Sequence, residues 1–234
     1  MDVITTHDNA DFDGLSAMIA AARIYPNAVM VLEPPMTPAV RDFLALHKDR
    51  FQPKRPVDIA LNDIEKLVVV DGRRTSRLRS IAPLLRHIRA NPGAVEVHLY
   101  DHRPAAVDDL HGEVEVIEKV GACTTLLVEM LRFADFQLDE VEATALAVGI
   151  YLDTGSLTWP STHSRDIDAV GWLMGQGASL RVVGRYVRAA LTVSQRHIEA
   201  KIIEGLESHW SGGVELALSV AQLDHGTAGL AELV

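Results

Sequence analysis

The chain has 234 residues, 48% hydrophobic and 23% charged, which supplies apolar side chains for one full core and excludes bulk disorder. A formal net charge of −10 argues against a broad electrostatic grip on long nucleic acid, and charged residues interrupt every apolar run before it reaches membrane-spanning length. The single Cys123 allows no internal disulfide, and the start MDVITTHDN lacks the basic and apolar regions of a signal peptide, so a cytoplasmic location is expected.

In chain order, residues 3–6 read as a short buried strand ending at His7, and residues 15–24 as a helix following an acidic loop. Residues 28–32 read as a second strand. Pro34, Pro35, Pro38, Pro53 and Pro56 then mark irregular connections around a short helix near 41–47. Residues 67–70 form an almost pure valine strand, which suits a sheet covered on both faces. Arg73, Arg74, Arg77 and Arg79 follow, and they read either as a solvated helix face or as a rim that steers phosphate. A helix over 78–90, closed by Asn91-Pro92-Gly93, leads to strands over 95–100 and 114–117.

From Gly121 the pattern turns helical, with helices expected over 123–133, 143–152, 165–174, 180–190 and 194–209. Asp139 and Glu142 have the spacing of an N-terminal capping arrangement, and Gly175 and Gly177 stop the third of these helices. Ser211-Gly212-Gly213 reads as a linker, and the alternation over 214–221 as a strand opening a new unit. The expected organisation is therefore an α/β domain over 1–190, a helical linker over 191–212 and the truncated beginning of a second domain over 213–234. The first is an open, mainly parallel five-stranded sheet with helices on both faces.

Acidic and imidazole groups cluster at the ends of the apolar runs. They are His7, Asp11 and Asp13 in THDNADFDG, Asp71 in LVVVDG, Asp101 and His102 in VHLYDHR, and Asp153 in GIYLDTGS. Groups at the carboxyl ends of parallel strands face the crevice of an open sheet. Several carboxylates converging there would repel unless cations lay between them, so the simplest reading is a two-metal site that cleaves phosphate esters. Asp11 and Asp13 alternate, which would place both carboxylates on one side of an extended turn. Each element alone has a plainer reading: turns for His7 to Asp13, a helix N-cap for Asp71, a surface pair for Asp101 and His102, and a turn for Asp153. His98 alternates with Tyr100 on the strand leading to the site and is a candidate support. The other histidines, the packing residues Trp159, Trp172 and Trp210, and the core residue Cys123 are given no role in the site.

These motifs, in this order and spacing over nearly the whole chain, resemble the DHH phosphoesterase family. They stand here as His7 to Asp13, Asp71-Gly72, Asp101-His102-Arg103 and Gly149 to Gly155. The stretch from Gly149 to Leu180 is most similar to the subgroup fused to CBS domains and a tRNA nucleotidyltransferase, or poly(A)-polymerase-like, module. The resemblance implies two divalent cations, manganese in preference to magnesium. His7, Asp11 and Asp71 would hold one, and Asp13, Asp71, His102 and Asp153 the other, with Asp71 bridging. Asp101 would orient its neighbours by hydrogen bonds. Asp71, Asp101, His102 and Arg103 would form the catalytic group, with water activated between the ions as the nucleophile. The implied substrate is a short RNA or DNA oligonucleotide or a small nucleotide, and RNA 3′ ends if the fused subgroup is right. The setting would be a longer multidomain chain, compatible with a homodimer and without membrane contact.

Two departures matter. Arg103 stands where the family has its second histidine. Arginine binds phosphate well but is a poor proton donor. The last residues, GGVELALSVAQLDHGTAGLAELV, resemble only the first strand and helix of the family's substrate-binding (DHHA1-like) domain, so weak substrate affinity is expected of this chain alone. Two rivals remain open: hydrolysis of pyrophosphate or polyphosphate by the same metal chemistry, and a non-catalytic nucleotide- or metal-sensing module.

Overall fold

Val3 and Ile4 are both fully buried, yet they join different apolar cores, because successive side chains of a strand point to opposite faces of the sheet. Their strand is Asp2–Thr5 (β1). Val68 and Val70 share the core of Ile4, and Leu67 and Val69 that of Val3, along the strand Lys66–Val70 (β3). Tyr100 and Leu99 divide in the same way on Glu96–Asp101 (β4). Continuous Val, Ile and Leu runs are therefore what a sheet covered on both faces requires. With Ala28–Val31 (β2) and Val114–Ile117 (β5), these strands form a five-stranded, wholly parallel sheet of order β2-β1-β3-β4-β5. The α/β fold with helices on both faces is as expected from sequence. The structure, a computed structural model, describes residues 1–187 and 193–220.

One core is covered by Phe12–Ile24 (α1), Pro38–Leu46 (α2), Cys123–Phe133 (α4), Glu140–Asp153 (α5), Ser164–Gly175 (α6) and Leu180–Val187 (α7). The other lies under Ala82–Ala90 (α3) and the 3-10 turns before it. Residues Phe12 to Ala21 of α1 and Ala143 to Ile150 of α5 are buried without interruption. Helices apolar all round in this way are central helices. They meet closely where the Ser16 hydroxyl donates to the Ala145 carbonyl at 2.8 Å. The start of α5 carries the expected capping box between Asp139 and Glu142.

The helix expected over 78–90 is shorter. Pro83 sits in the first turn of α3, where its missing N–H costs nothing, and residues Thr75–Arg77 and Arg79–Ile81 form 3-10 turns instead.

The chain divides into two compact units, Met1–Val187 and Arg188–Val234. In the second, Val193–Glu204 (α8) precedes the antiparallel hairpin of Glu207–Ser211 (β6) and Val214–Leu218 (β7). The helix expected over 194–209 thus ends early, and the helical linker over 191–212 is interrupted by a strand. Gly212 and Gly213, read from sequence as linker, both have positive φ and close the two-residue turn. Gly-Gly is one of the residue pairs that such a turn favours. The remainder of the second domain expected over 213–234 falls in part on residues 221–234, outside the described residues. Among the described residues, no helix is long and apolar enough to cross a membrane.

Candidate metal centre

In this strand order the chain leaves β1 for β2 on one side and returns to β3 on the other, so a crevice opens between the carboxyl ends of β1 and β3. His7 follows β1 into that crevice. Asp71 follows β3, with its N–H continuing the ladder to the Tyr100 carbonyl at 2.9 Å. The Asp71 backbone then turns into the left-handed region at φ 54°, a conformation that non-glycine residues hold mainly at functional or strained positions. A side chain on Gly72 would lie 2.7 Å from the His7 Cβ. Only glycine lets the two loops come this close.

His7 Nε2 lies 3.4 Å from Asp11 Oδ2 and 3.3 Å from Asp71 Oδ2. His102 Nε2 lies 3.4 Å from Asp71 Oδ1 and 3.3 Å from Asp153 Oδ2. Two three-residue clusters result, His7 with Asp11 and Asp71, and Asp13 with Asp71 and His102, each with donor atoms within 4.8 Å of one another. Asp71 belongs to both, and Asp153 adjoins the second through His102. The structure therefore brings together all six residues singled out as metal ligands from sequence.

The hydrogen bonds around the two imidazoles fix their tautomers. His7 Nδ1 faces the Asp8 carbonyl at 2.8 Å, and His102 Nδ1 the Val120 carbonyl at 3.1 Å. A carbonyl only accepts, so each Nδ1 carries a hydrogen and, in the neutral ring, each Nε2 presents a lone pair to the carboxylates. His7 Nε2, His102 Nε2 and Asp71 Oδ2 are buried and have no hydrogen-bond partner. Buried polar atoms are seldom left unpaired, and imidazole and carboxylate lone pairs aimed at a common centre fit a divalent cation.

Without a cation the electrostatics are under tension. Burial opposes charge on His7, but Asp11 and Asp71 outweigh it and raise the imidazole to about 10. Burial likewise opposes charge on His102, which its carboxylate neighbours, Asp71 foremost, raise to about 9. Burial works against ionised Asp71, yet His102, His7 and Arg103 hold its carboxyl well below the usual carboxylate range. Burial followed by the Asp71 charge pushes Asp13 well above that range and Asp153 up to about 7. Opposed shifts in neighbouring carboxyls are typical of functional sites.

Asp11 and Asp13 do not share one side of an extended turn, as their alternation suggested. Asp11 is the N-cap of α1, accepting from the Gly14 N–H, and Asp13 lies inside the first turn. Helical geometry turns Asp13 toward the N-terminus of α4, where its carboxylate accepts from the Cys123 N–H at 2.7 Å and the Thr124 N–H at 2.9 Å. Asp13 thus caps a helix 110 residues away, and that fixes its direction. Cys123 is a buried free cysteine at this helix start, in keeping with a core residue.

Asp101 accepts from the His102 and Arg103 N–H groups through Oδ1 and from the Arg73 N–H through Oδ2. It thereby shapes the loop that presents both side chains. Arg103 donates to the Asp71 carbonyl at 2.8 Å and pairs with the Asp71 carboxylate.

Arg73 is neither a solvated helix residue nor a rim residue. It is buried, faces Asp109 at 3.4 Å and donates to the Arg103 carbonyl at 3.0 Å. Sequence reasoning missed Asp109 and also Asp8, whose carboxylate accepts from the Arg79 and Ser80 N–H groups and ties the β1 and β3 loops together. Neither carries a local signal, since each partner is distant in sequence. His98 bonds to Tyr25 and Glu96 and touches none of the candidate ligands.

Fold and site together define the class: a doubly wound α/β domain with a carboxylate-imidazole centre at its switch point. No family model matches the chain. The A-adding tRNA nucleotidyltransferase of Geobacter sulfurreducens is 40% identical over 234 residues, all of this chain and 26% of that protein. The cyclic-di-AMP phosphodiesterase PdeA of Listeria monocytogenes is 27% identical over 225 residues, 88% of this chain and 32% of that protein. The chain therefore spans between a quarter and a third of these curated relatives. A crystal structure of an exopolyphosphatase-related protein from Bacteroides fragilis superposes with a TM-score of 0.71 at 14% identity, covering 89% of this chain and 62% of that one. The chain belongs to the DHH phosphoesterase family.

Proposed function

We propose that this chain is the catalytic domain of a metal-dependent phosphodiesterase that hydrolyses short oligonucleotides or small nucleotides. The observation that carries this reading is Asp71, one buried carboxylate shared by two clusters whose imidazole Nε2 atoms are both unpaired. His7, Asp11 and Asp71 would hold one divalent cation, and Asp13, Asp71, His102 and Asp153 the other, with manganese favoured over magnesium by the two imidazoles. When bound, such a pair supplies an activated water and stabilises the charge on the leaving oxygen. The protein's own contribution is orientation. The Asp8 and Val120 carbonyls fix the imidazole tautomers, Asp13 is held by the start of α4, and Asp101 shapes the loop of His102 and Arg103. Arg103 would contact the substrate phosphate with its fixed charge.

Similarity to the Listeria cyclic-di-AMP phosphodiesterase and the Geobacter A-adding tRNA nucleotidyltransferase favours a nucleotide phosphodiester and, within a longer protein, an RNA 3′ end. The test is hydrolysis of 5′-labelled two- to five-nucleotide RNA with manganese, beside Asp71→Ala. Monophosphate release that the variant loses supports the reading. Binding of manganese without cleavage of any diester would overturn it.

A further inference from the structure

The sequence reading gave Trp159 a packing role. The structure instead leaves it 53% exposed, in the turn that directly follows Asp153. Gly155, Ser156 and Leu157 are three consecutive residues with positive φ, at 54°, 61° and 66°. Ser and Leu adopt this conformation only under constraint, and such strain is concentrated at functional sites. The constraint is visible. Thr154, fully buried, accepts from the Leu157 N–H through its hydroxyl at 3.1 Å and from the Trp159 N–H through its carbonyl at 3.1 Å. Thr162 closes the turn by donating its N–H to the Trp159 carbonyl at 3.0 Å.

The indole lies on the Gly155 backbone: a Cβ at Gly155 would sit 2.2 Å from Trp159 Nε1. The ring is therefore held by its own turn, against a glycine that lies two residues beyond the candidate metal ligand Asp153. About half of its surface remains open to solvent.

We propose that Trp159 is a stacking platform for a nucleobase, and that it selects base-bearing substrates over inorganic or abasic phosphates at this centre. The inference rests on the phosphodiesterase reading above and specifies its substrate class. A flat, pre-oriented aromatic face gains stacking energy without an ordering cost, and it accepts any base. A site for pyrophosphate or polyphosphate has no use for an exposed indole in the turn that directly follows Asp153.

Two measurements on the whole protein test this. In steady-state kinetics, Trp159→Ala should raise KM for a di-adenylate about tenfold, the lower range for loss of one base stack, with kcat little changed. KM for the abasic dinucleotide should stay the same, and Trp159→Phe should restore most of the loss. An equal rise on both substrates, or no rise on either, would overturn the proposal. In the second measurement, AMP should quench the intrinsic fluorescence of the wild-type protein, ribose 5-phosphate should not, and Trp159→Phe should abolish the response. If no oligonucleotide is cut at all, the phosphodiesterase reading falls and the titration alone decides the platform. No quench by AMP then sinks it.

Discussion

Arg103 lays its guanidinium on Asp71, bonding to both the carbonyl and the carboxylate of the residue that the two ligand clusters share. The same guanidinium lies 3.7 Å from Asp101 Oδ1, and the carboxylates around it hold its charge firmly in place. An arginine in this position can bind and polarise a phosphate, but it does not give up a proton to a leaving group. The motif resemblance expects histidine at this position.

The expected consequence is a rate that falls steeply as the leaving group becomes more basic. Arg103→His should accelerate hydrolysis of esters with alkoxide leaving groups by about a hundredfold, the lower range for an added general acid. Activated p-nitrophenyl esters should change little. Measuring kcat for both substrate types in both proteins checks this. Equal slowing of both by Arg103→His would show that the fixed charge, and not the missing acid, governs the step.

The two imidazoles give the chelated protein a distinctive pH response. His7 and His102 are raised from 6.5 to about 10 and about 9, so the stability they contribute is full below about pH 6.5 and is lost as pH climbs through their folded values. Asp153, raised from 3.8 to about 7, acts in the same direction at lower pH. Tm in EDTA should therefore fall steadily between about pH 5 and pH 10. Metal binding requires these groups without their protons, so manganese binding at pH 7 should release at least one proton. Calorimetry in two buffers of different ionisation enthalpy measures that release directly. Uptake at zero protons, with Tm flat in EDTA, would contradict the arrangement of charges described.

Much of this architecture is legible in the sequence, and the reason is local. The strands are continuous apolar runs. The candidate ligands His7, Asp71 and His102 stand just past the carboxyl ends of β1, β3 and β4, and the topology of a parallel sheet converts that shared position into spatial proximity, while Asp153 meets His102 from the end of helix α5. What escaped the sequence depends on partners far along the chain. Asp13 is aimed by backbone amides of Cys123 and Thr124, Asp8 by those of Arg79 and Ser80, and nothing near either carboxylate announces it. Arg73 was hidden by company: in a run of four arginines, a buried one has the same local pattern as a solvated one. Trp159 was hidden by the opposite assumption, that a large aromatic ring is packed.

Gly72 offers a test of how closely the two loops must approach. Its substitution to alanine would place a methyl carbon 2.7 Å from the His7 Cβ, a distance that demands movement of one loop. Gly72→Ala should leave the far-UV circular dichroism unchanged while weakening manganese binding roughly tenfold or more, as loss of support around a metal ligand does. Activity should recover in part at high manganese. Unaltered metal affinity would show that His7 can shift without cost.

The pair of Arg73 and Asp109 extends this logic to charge. Their side chains are 8% and 3% exposed, and each retains a buried polar atom without a partner, Nε and Oδ1 respectively. The pair is thus incompletely compensated, a state in which removing one partner is worse than removing both. Arg73→Met leaves Asp109 and Asp101 facing no cation from that side and should cost about 3–5 kcal/mol. Arg73→Met with Asp109→Asn should cost clearly less, with the difference read as a coupling energy in a urea-unfolding double-mutant cycle. Arg73 also holds the Arg103 carbonyl. Activity in Arg73→Met should accordingly fall even at temperatures where the variant is fully folded, as the loop carrying His102 and Arg103 loses its anchor. A coupling energy near zero would mean that the two charges are solvated independently, and that Asp101 alone fixes the loop.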